Sequence, residues 1–288
     1  MAGIKEIRTR IASVTNTQKI TSAMKMVSAA KLRKAQQAVM RMRPYSEKLQ
    51  EILRNVSSGM EDSDGNPYAT VRAGEKVLIV AVASNSGLCG GFNSNIGKAT
   101  VALVQGNFAG KSITVYTIGK KLSEFFRAKN IAVSKHFDEV YDALTYDNVA
   151  AIAEEIMREF VAGTYDTVVV VYNSFKNAAT QIITEKQFLP IEQEISEEQG
   201  FSRDYICEPN TEAIAIDLIP RSLKTEFYSI LLDSYASEHG ARMTAMHKAT
   251  DNAGEMLRSL KIEYNKARQS LITNEILEIV SGANALQG

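Results

Sequence analysis

The chain has 288 residues, is 45% hydrophobic and 23% charged, and carries 33 basic against 33 acidic side chains. That mix belongs to a folded protein rather than a disordered one, and no run approaches the ~20 apolar residues of a membrane span. The start, MAGIKEIRTRIASV, lacks the uninterrupted apolar core of a signal peptide, and Cys89 and Cys207 form no CxxC pair. A cytosolic compartment with reduced thiols is therefore expected.

Zero net charge hides a strong polarity. Residues 1–54 carry twelve Lys or Arg against Glu6, Glu47 and Glu51; residues 55–220 carry 13 basic and 22 acidic groups; residues 221–288 carry eight of each. The basic N-terminal stretch calls for an acidic partner.

From Ile4 to Arg43 there is neither Gly nor Pro. Ile4, Ile7, Ile11 and Val14 recur at alternating spacings of three and four, and the stripe is expected to drift to Ile20, Met24 and Val27. Such spacing is the seam of a left-handed coiled coil. Arg43-Pro44 predicts a kink or break, with a short helix resuming from Tyr45 to Val56. SSGMEDSDGNPYATVRAGEK, rich in turn-formers, reads as a loop.

KVLIVAVA then suits a strand buried on both faces, followed by a helix over Gly90 to Gln105. ITVYTIG predicts a second strand, Lys120 to Lys129 a helix, IAVSKHF a third strand, Tyr146 to Val161 a helix and DTVVVVY a further strand. QIITEKQFLP reads as an antiparallel edge ending at Pro190, and IEQEISEEQGFSRD as an acidic loop. Alternating strands and helices predict a doubly wound, mainly parallel sheet.

From Arg221 to Val280 there is no Pro, and only Gly240 and Gly254. Ala253, Leu257, Leu260, Tyr264, Ala267 and Leu271 repeat the seam, which drifts into Ile272, Ile276 and Ile279. The fold class is thus an α/β domain inserted between two long terminal helices that form an antiparallel left-handed coiled coil. The expected boundaries are 1–56 for the N-terminal helix, 57–75 for a loop, 76–205 for the globular domain and 206–288 for the C-terminal helix. About 20 residues of the C-terminal helix would outrun the N-terminal one, and something else must surround them.

Candidate chemistry is sparse. SNSGLCGGFN lies between strand and helix, where an open α/β sheet binds phosphate. No Gly-Lys-Ser/Thr follows, and Gly87, Gly90 and Gly91 do not fit G-x-G-x-x-G, so a tight turn is the better reading. His136, His239 and His247 read as isolated surface imidazoles without a carboxylate at ligand spacing. Cys89 has no nearby His or Lys to form a thiolate pair. No nucleophile, base and orienting group come together. Lys25, Lys31, Arg33, Lys34, Arg41 and Arg43 crowd one end of the N-terminal helix, interleaved with Met24, Met26, Val27, Ala29, Ala30 and Leu32. A helix with a basic and an apolar face suits an acidic protein partner. A zipper-type DNA reader, an amphipathic membrane helix and a nucleotide-binding enzyme with helical arms are the alternatives.

NTQKITSAMKMVSAAKLRKA near the start, and ARMTAMHKATDNAGEML with YNKARQSLITNEILEIVSGA near the end, closely resemble the gamma-subunit family of F-type ATP synthases, in its bacterial form. SNSGLCGGFN resembles that family's Ser-Asp-Arg-Gly-Leu-Cys-Gly signature, with Asn85 and Ser86 in place of Asp and Arg. The resemblance implies a non-catalytic rotor shaft without cofactor or metal, coupling proton-driven rotation of a membrane c-ring to ATP synthesis and hydrolysis in an alpha-beta ring. It implies alpha, beta, epsilon and delta subunits and the c-ring as partners, no nucleic acid, no direct membrane insertion, and a peripheral place on the cytoplasmic face of the cell membrane. By motif, Met24, Lys25 and Arg33 would contact the alpha-beta ring, Lys25 and its basic neighbours facing an acidic beta-subunit loop. Arg268, Gln269 and Thr273 would meet a beta-subunit catch loop. Tyr205, Cys207 and Glu208 would lie near the c-ring. The tail ILEIVSGANAL would turn in an apolar collar.

Overall fold

The structure, a computed structural model, describes residues 3–57, 66–72, 74–191 and 211–287. The element order is α1 (Ile4–Ser57), β1 (Lys76–Val82), α2 (Phe92–Gln105), β2 (Ser112–Ile118), α3 (Lys120–Ala128), β3 (Lys135–His136), a short 3₁₀ turn (Asp138–Tyr141), α4 (Tyr146–Val161), β4 (Thr167–Phe175), β5 (Gln181–Leu189) and α5 (Thr211–Gln287). Contacts divide the chain into two compact units: residues 1–28 with 243–288, and residues 29–242.

The larger unit holds a five-stranded sheet of order β3-β2-β1-β4-β5, parallel except for the antiparallel pair β4–β5. β1 is apolar on both faces because both are covered. Leu78, Val80 and Val82 point to a core shared with Ile152, Ile156 and Phe160 of α4 and with Leu223, Phe227 and Leu231 of α5. Val77, Ile79 and Ala81 point the other way, to Ile96 and Leu103 of α2 and to Leu122 and Phe126 of α3. Burying side chains of this kind contributes about 1.5–3 kcal/mol each relative to exposure, and the two-sided cover is what a mainly parallel sheet requires.

The smaller unit pairs the start of α1 with the far part of α5, antiparallel. Thr21 Oγ1 lies 2.9 Å from Thr250 Oγ1, and a side chain at Gly254 would meet Gln18 Nε2 at 3.2 Å. Moving down α1 from Thr21 to Gln18 thus moves up α5 from Thr250 to Gly254. The register puts Ile4 level with Ala267. On α5, Ala253, Leu257 and Leu260 are buried, Tyr264 and Ala267 half-buried, and Leu271 is exposed. Among the described residues beyond Ala267, no apolar side chain is buried.

Several expectations change. Pro44 does not break α1, and α5, Thr211–Gln287, likewise runs through Pro220 without a break. A proline removes one amide donor and crowds one turn, at about 3 kcal/mol or more. In helices of 54 and 77 residues the neighbouring turns and, around Pro220, the packed core outweigh that cost. The third strand shrinks to Lys135–His136, since Ile131 and Val133 pack on the α2–α3 core instead of joining the ladder.

The N-terminal stripe does not drift as predicted. The inward positions continue as Gln18, Thr21 and Ser28, whereas Ile20 and Val27 are exposed. Small hydroxylated residues fit the seam because their hydroxyls are already satisfied on their own helix: Thr21 donates to Gln18 O at 3.1 Å and Ser28 to Met24 O at 2.8 Å. Gly254 and Ala253 stand opposite this stretch, and at this level Ile20, Met26 and Val27 turn outward.

Candidate functional site

Two regions stand out, one in each unit. In the helix pair the outward face of α1 carries Ile20 at 60%, Met26 at 63% and Val27 at 57% exposure, with Met24 and Lys25 half-buried beside them. A normal amphipathic helix hides these residues and exposes the polar ones. Here the pattern is inverted, so the apolar face is built for another surface. The register places Met24 level with His247. Arg268 therefore lies about 30 Å further along α5 at ~1.5 Å per residue. Met24 and Lys25 form one group, and Arg268, Gln269 and Thr273 a second at the end of the pair. All three members of the second group are exposed, and the Thr273 hydroxyl donates to Gln269 O at 2.9 Å. Beyond them Leu271, Ile272, Ile276, Leu277, Ile279 and Val280 are exposed in a row.

Arg33 is exposed in the larger unit. Tyr205, Cys207 and Glu208 lie outside the described residues.

In the larger unit the glycine loop is occupied from within. Arg242 of α5 donates from Nε to Gly87 O at 3.2 Å and from Nη2 to Ser86 O at 3.0 Å. Its Nη1 lies 2.7 Å from Glu238 Oε1 and 3.2 Å from His239 Nδ1. Both members of the Glu238–Arg242 pair are only 8% exposed as side chains. The loop therefore presents carbonyls to a cation, where a phosphate site presents amides to an anion. Its own shape is fixed by Ser84, whose Oγ donates to Ser86 O at 2.6 Å, and by Asn93, which accepts from Ser84 N at 3.0 Å. Asn85 also bridges outward: its Nδ2 donates to Asp138 O at 2.9 Å, and its Oδ1 accepts from Lys120 N at 3.1 Å.

Two further expectations, both on histidines, are corrected here. His239 is buried against Tyr235, not a surface imidazole. Burial, with the Arg242 and Lys31 charges, pushes it down to about 3, so it is neutral. His247 does have a carboxylate neighbour, Asp251 at 3.3 Å one turn on. Cys89 has a cation nearby in Arg242, yet burial still raises its thiol above the ordinary range, so it stays a protonated thiol. Burial likewise raises Glu238, opposed by the Arg242 charge and hydrogen bond. Among the described residues no cluster of His, Cys, Asp and Glu could hold a metal ion, and no helix is long and apolar enough to cross a membrane.

The Glu238–Arg242 clamp was missed in the sequence, although its i, i+4 spacing on an otherwise apolar helix face was visible.

A family model described as ATP synthase matches residues 3–286. The ATP synthase gamma chains of Christiangramia forsetii and Flavobacterium johnsoniae are each 54% identical to this chain over 288 residues, covering the whole of both sequences. That of Flavobacterium psychrophilum is 55% identical over the same length. Among solved structures, a chain of the central stalk and c-ring of the Tetrahymena thermophila mitochondrial ATP synthase shares 25% identity at TM-score 0.59, covering 80% of this chain and 99% of that one. A chain from the Euglena gracilis mitochondrial ATP synthase, in the OSCP/F1/c-ring assembly, matches the fold at TM-score 0.68 with 21% identity, covering 98% of this chain and 94% of that one. With a family model spanning nearly its whole length and relatives above half identity end to end, this chain belongs to the ATP synthase gamma-chain family.

Proposed function

We propose that this chain is the central-stalk rotor shaft of an ATP synthase, a non-catalytic subunit that couples proton-driven rotation of a membrane c-ring to ATP synthesis and hydrolysis in an alpha-beta ring. The observation that carries this reading is the inverted helix pair. Around Thr21 and Ser28 the buried side chains of α1 are small and hydroxylated while Ile20, Met26 and Val27 face outward, and α5 continues past Ala267 with a row of exposed Leu, Ile and Val. Such a rod needs a surrounding collar, and a two-helix rod inside a threefold collar is necessarily asymmetric. Each catalytic site then meets a different face, so one angle favours ATP binding and another release. This is a population shift driven by differential contact.

In this reading Met24, Lys25 and Arg33 meet the acidic side of the beta subunits. Arg268, Gln269 and Thr273 make oriented hydrogen bonds that distinguish one rotor angle from the next. Ile276 to Leu286 turn in an apolar sleeve, where contact energy scales with area and has no preferred direction. Tyr205, Cys207 and Glu208 are assigned to the c-ring side. The epsilon and delta subunits complete the partner set, on the cytoplasmic face of the membrane.

Co-expression with alpha and beta subunits tests the reading. A stoichiometric complex whose ATP hydrolysis turns a probe on this chain supports it. A chain that purifies alone, while alpha and beta assemble without it, refutes it.

A further inference from the structure

Within the larger unit, α5 crosses the carboxyl ends of the strands and is fixed there at three successive points. Asp233 accepts from Ser174 Oγ at 3.1 Å and from the Phe175 amide at 3.4 Å, at the end of β4. Gly240 lies against the β4–β5 turn so closely that an added Cβ would sit 3.2 Å from both Ala178 Cα and Ala178 O. Arg242 grips the glycine loop through Ser86 O and Gly87 O, while Ala241 packs on Cys89 and Phe92 of the same segment. Four polar contacts converge on one guanidinium that is 7% exposed.

Most of what joins α5 to the sheet is apolar, through Leu223, Phe227 and Leu231. Apolar contact resists separation but is non-directional. A buried guanidinium with its donors aimed at two fixed carbonyls and a carboxylate is the opposite: its energy falls steeply with small angular displacement. A buried ion pair is a poor source of net stability but a strong specifier of one geometry. The carbonyls it meets belong to a loop stiffened by Ser84 and Asn93 and rooted in the central strand β1.

Resting on the rotor reading, we propose that Arg242, held by Glu238, is a positioning residue that fixes the angle of α5 on the sheet, so that torque applied to the sheet domain enters the helix at residues 233–242. Glu238 orients the guanidinium and balances its charge. Gly240 permits the close approach that brings Arg242 within reach of the loop. The effect of the clamp is mechanical stiffness rather than affinity.

The test uses the complex with alpha and beta subunits, the ring fixed to a surface, a bead on the sheet domain and the rotor held in one nucleotide-locked dwell. The width of the bead's angular fluctuation reads torsional stiffness. Arg242→Gln and Glu238→Gln are expected to lower the stiffness roughly twofold, since directed charge-assisted bonds are lost while the apolar interface remains. Arg242→Lys keeps the charge but cannot fork between two carbonyls and a carboxylate, so it restores less than half of the loss. Lys186→Gln, which breaks the more exposed Lys186–Glu226 pair between β5 and the same helix, is the control and leaves the width unchanged. Should Arg242→Gln fail to assemble, the isosteric Glu238→Gln and the Arg242→Lys variants decide. A merely structural clamp predicts a lower melting temperature with an unchanged angular width, and that result overturns the proposal. Failure of the rotor reading is separate: the wild-type chain would then not turn at all.

Discussion

Thr21 and Thr250 face each other across the helix pair with their hydroxyl oxygens 2.9 Å apart, although 229 residues separate them in sequence. One hydroxyl donates across the seam and the other into its own helix, where Thr21 has Gln18 O at 3.1 Å and Thr250 has Met246 O at 2.8 Å. A polar contact in the seam is thus made without leaving a donor unpaired, and it fixes the register of everything beyond it.

Replacing Thr21 with Val keeps the volume and removes one hydroxyl, while Thr250 retains Met246 O as its acceptor. The expected loss is about 0.5–1.5 kcal/mol, the net worth of a typical hydrogen bond. Denaturant titration followed by the helical signal measures it. A Thr21→Val/Thr250→Val pair loses less than the sum of the single variants, because the second hydroxyl no longer has a partner to lose.

The two glycines within α5 respond oppositely to alanine. At Gly240 a Cβ meets the Ala178 backbone at 3.2 Å, so Gly240→Ala forces a backbone shift and costs about 1–3 kcal/mol. At Gly254 the nearest atom is the end of the Gln18 side chain, which can swing away. Gly254→Ala then gains helix propensity of up to about 1 kcal/mol and is neutral or stabilising. Thermal melts of the two variants separate these outcomes.

His239 sets a pH dependence with a definite sign. Its folded value is depressed to about 3 from an ordinary 6.5. The unfolded chain therefore takes up the proton first on acidification. The stability contributed by neutral His239 is present above pH ~6.5 and is lost as pH falls from there toward about 3. Unfolding midpoints of the chain at pH 7 and pH 5 measure the fall, and His239→Gln flattens it. A wild-type slope unchanged in the variant excludes His239 as the source.

Buried and exposed apolar residues of α5 separate folding from assembly. Leu257→Ala and Leu260→Ala remove side chains packed in the helix pair and cost about 2–5 kcal/mol of stability. Ile276→Ala, 55% exposed, changes the stability of the isolated chain by less than about 0.5 kcal/mol. Its effect falls on the yield of the complex with alpha and beta subunits.

Truncation separates the sleeve from the oriented contacts. Removing residues 283–288 lowers complex yield but leaves ATP-driven pumping intact in what assembles. Cutting back through Thr273, Gln269 and Arg268 abolishes it. Loss of pumping with the first truncation alone, in fully assembled complexes, shows that the tail does more than bear.

The sheet was legible because its strands are short apolar runs bounded by turn residues. KVLIVAVA became β1 within one residue, and DTVVVVY became β4, which runs three residues further to Phe175. The ends of the chain were legible as helices but not as faces. Ile20 and Val27 look like seam residues by hydrophobicity, yet the register fixed at Thr21 and Thr250 turns them outward. A single sequence does not say that an apolar residue is reserved for another protein. The clamp was hidden for a different reason: Arg242 and the carbonyls of Ser86 and Gly87 are about 155 positions apart, and backbone acceptors leave no mark in a sequence.

The antiparallel pairing also has a temporal side. With Thr21 and Thr250 separated by 229 residues, the first helix leaves the ribosome long before its counterpart exists. At ~5–20 residues per second, it waits roughly 10–50 s. During that interval the start of α1 has neither the seam nor the collar, and its exposed Ile20, Met26 and Val27 face solvent unshielded. A chain terminated early keeps an intact sheet sequence but never forms the rod. Completion of synthesis is thus a precondition for building the shaft, and the burden on chaperones falls on the nascent N-terminus.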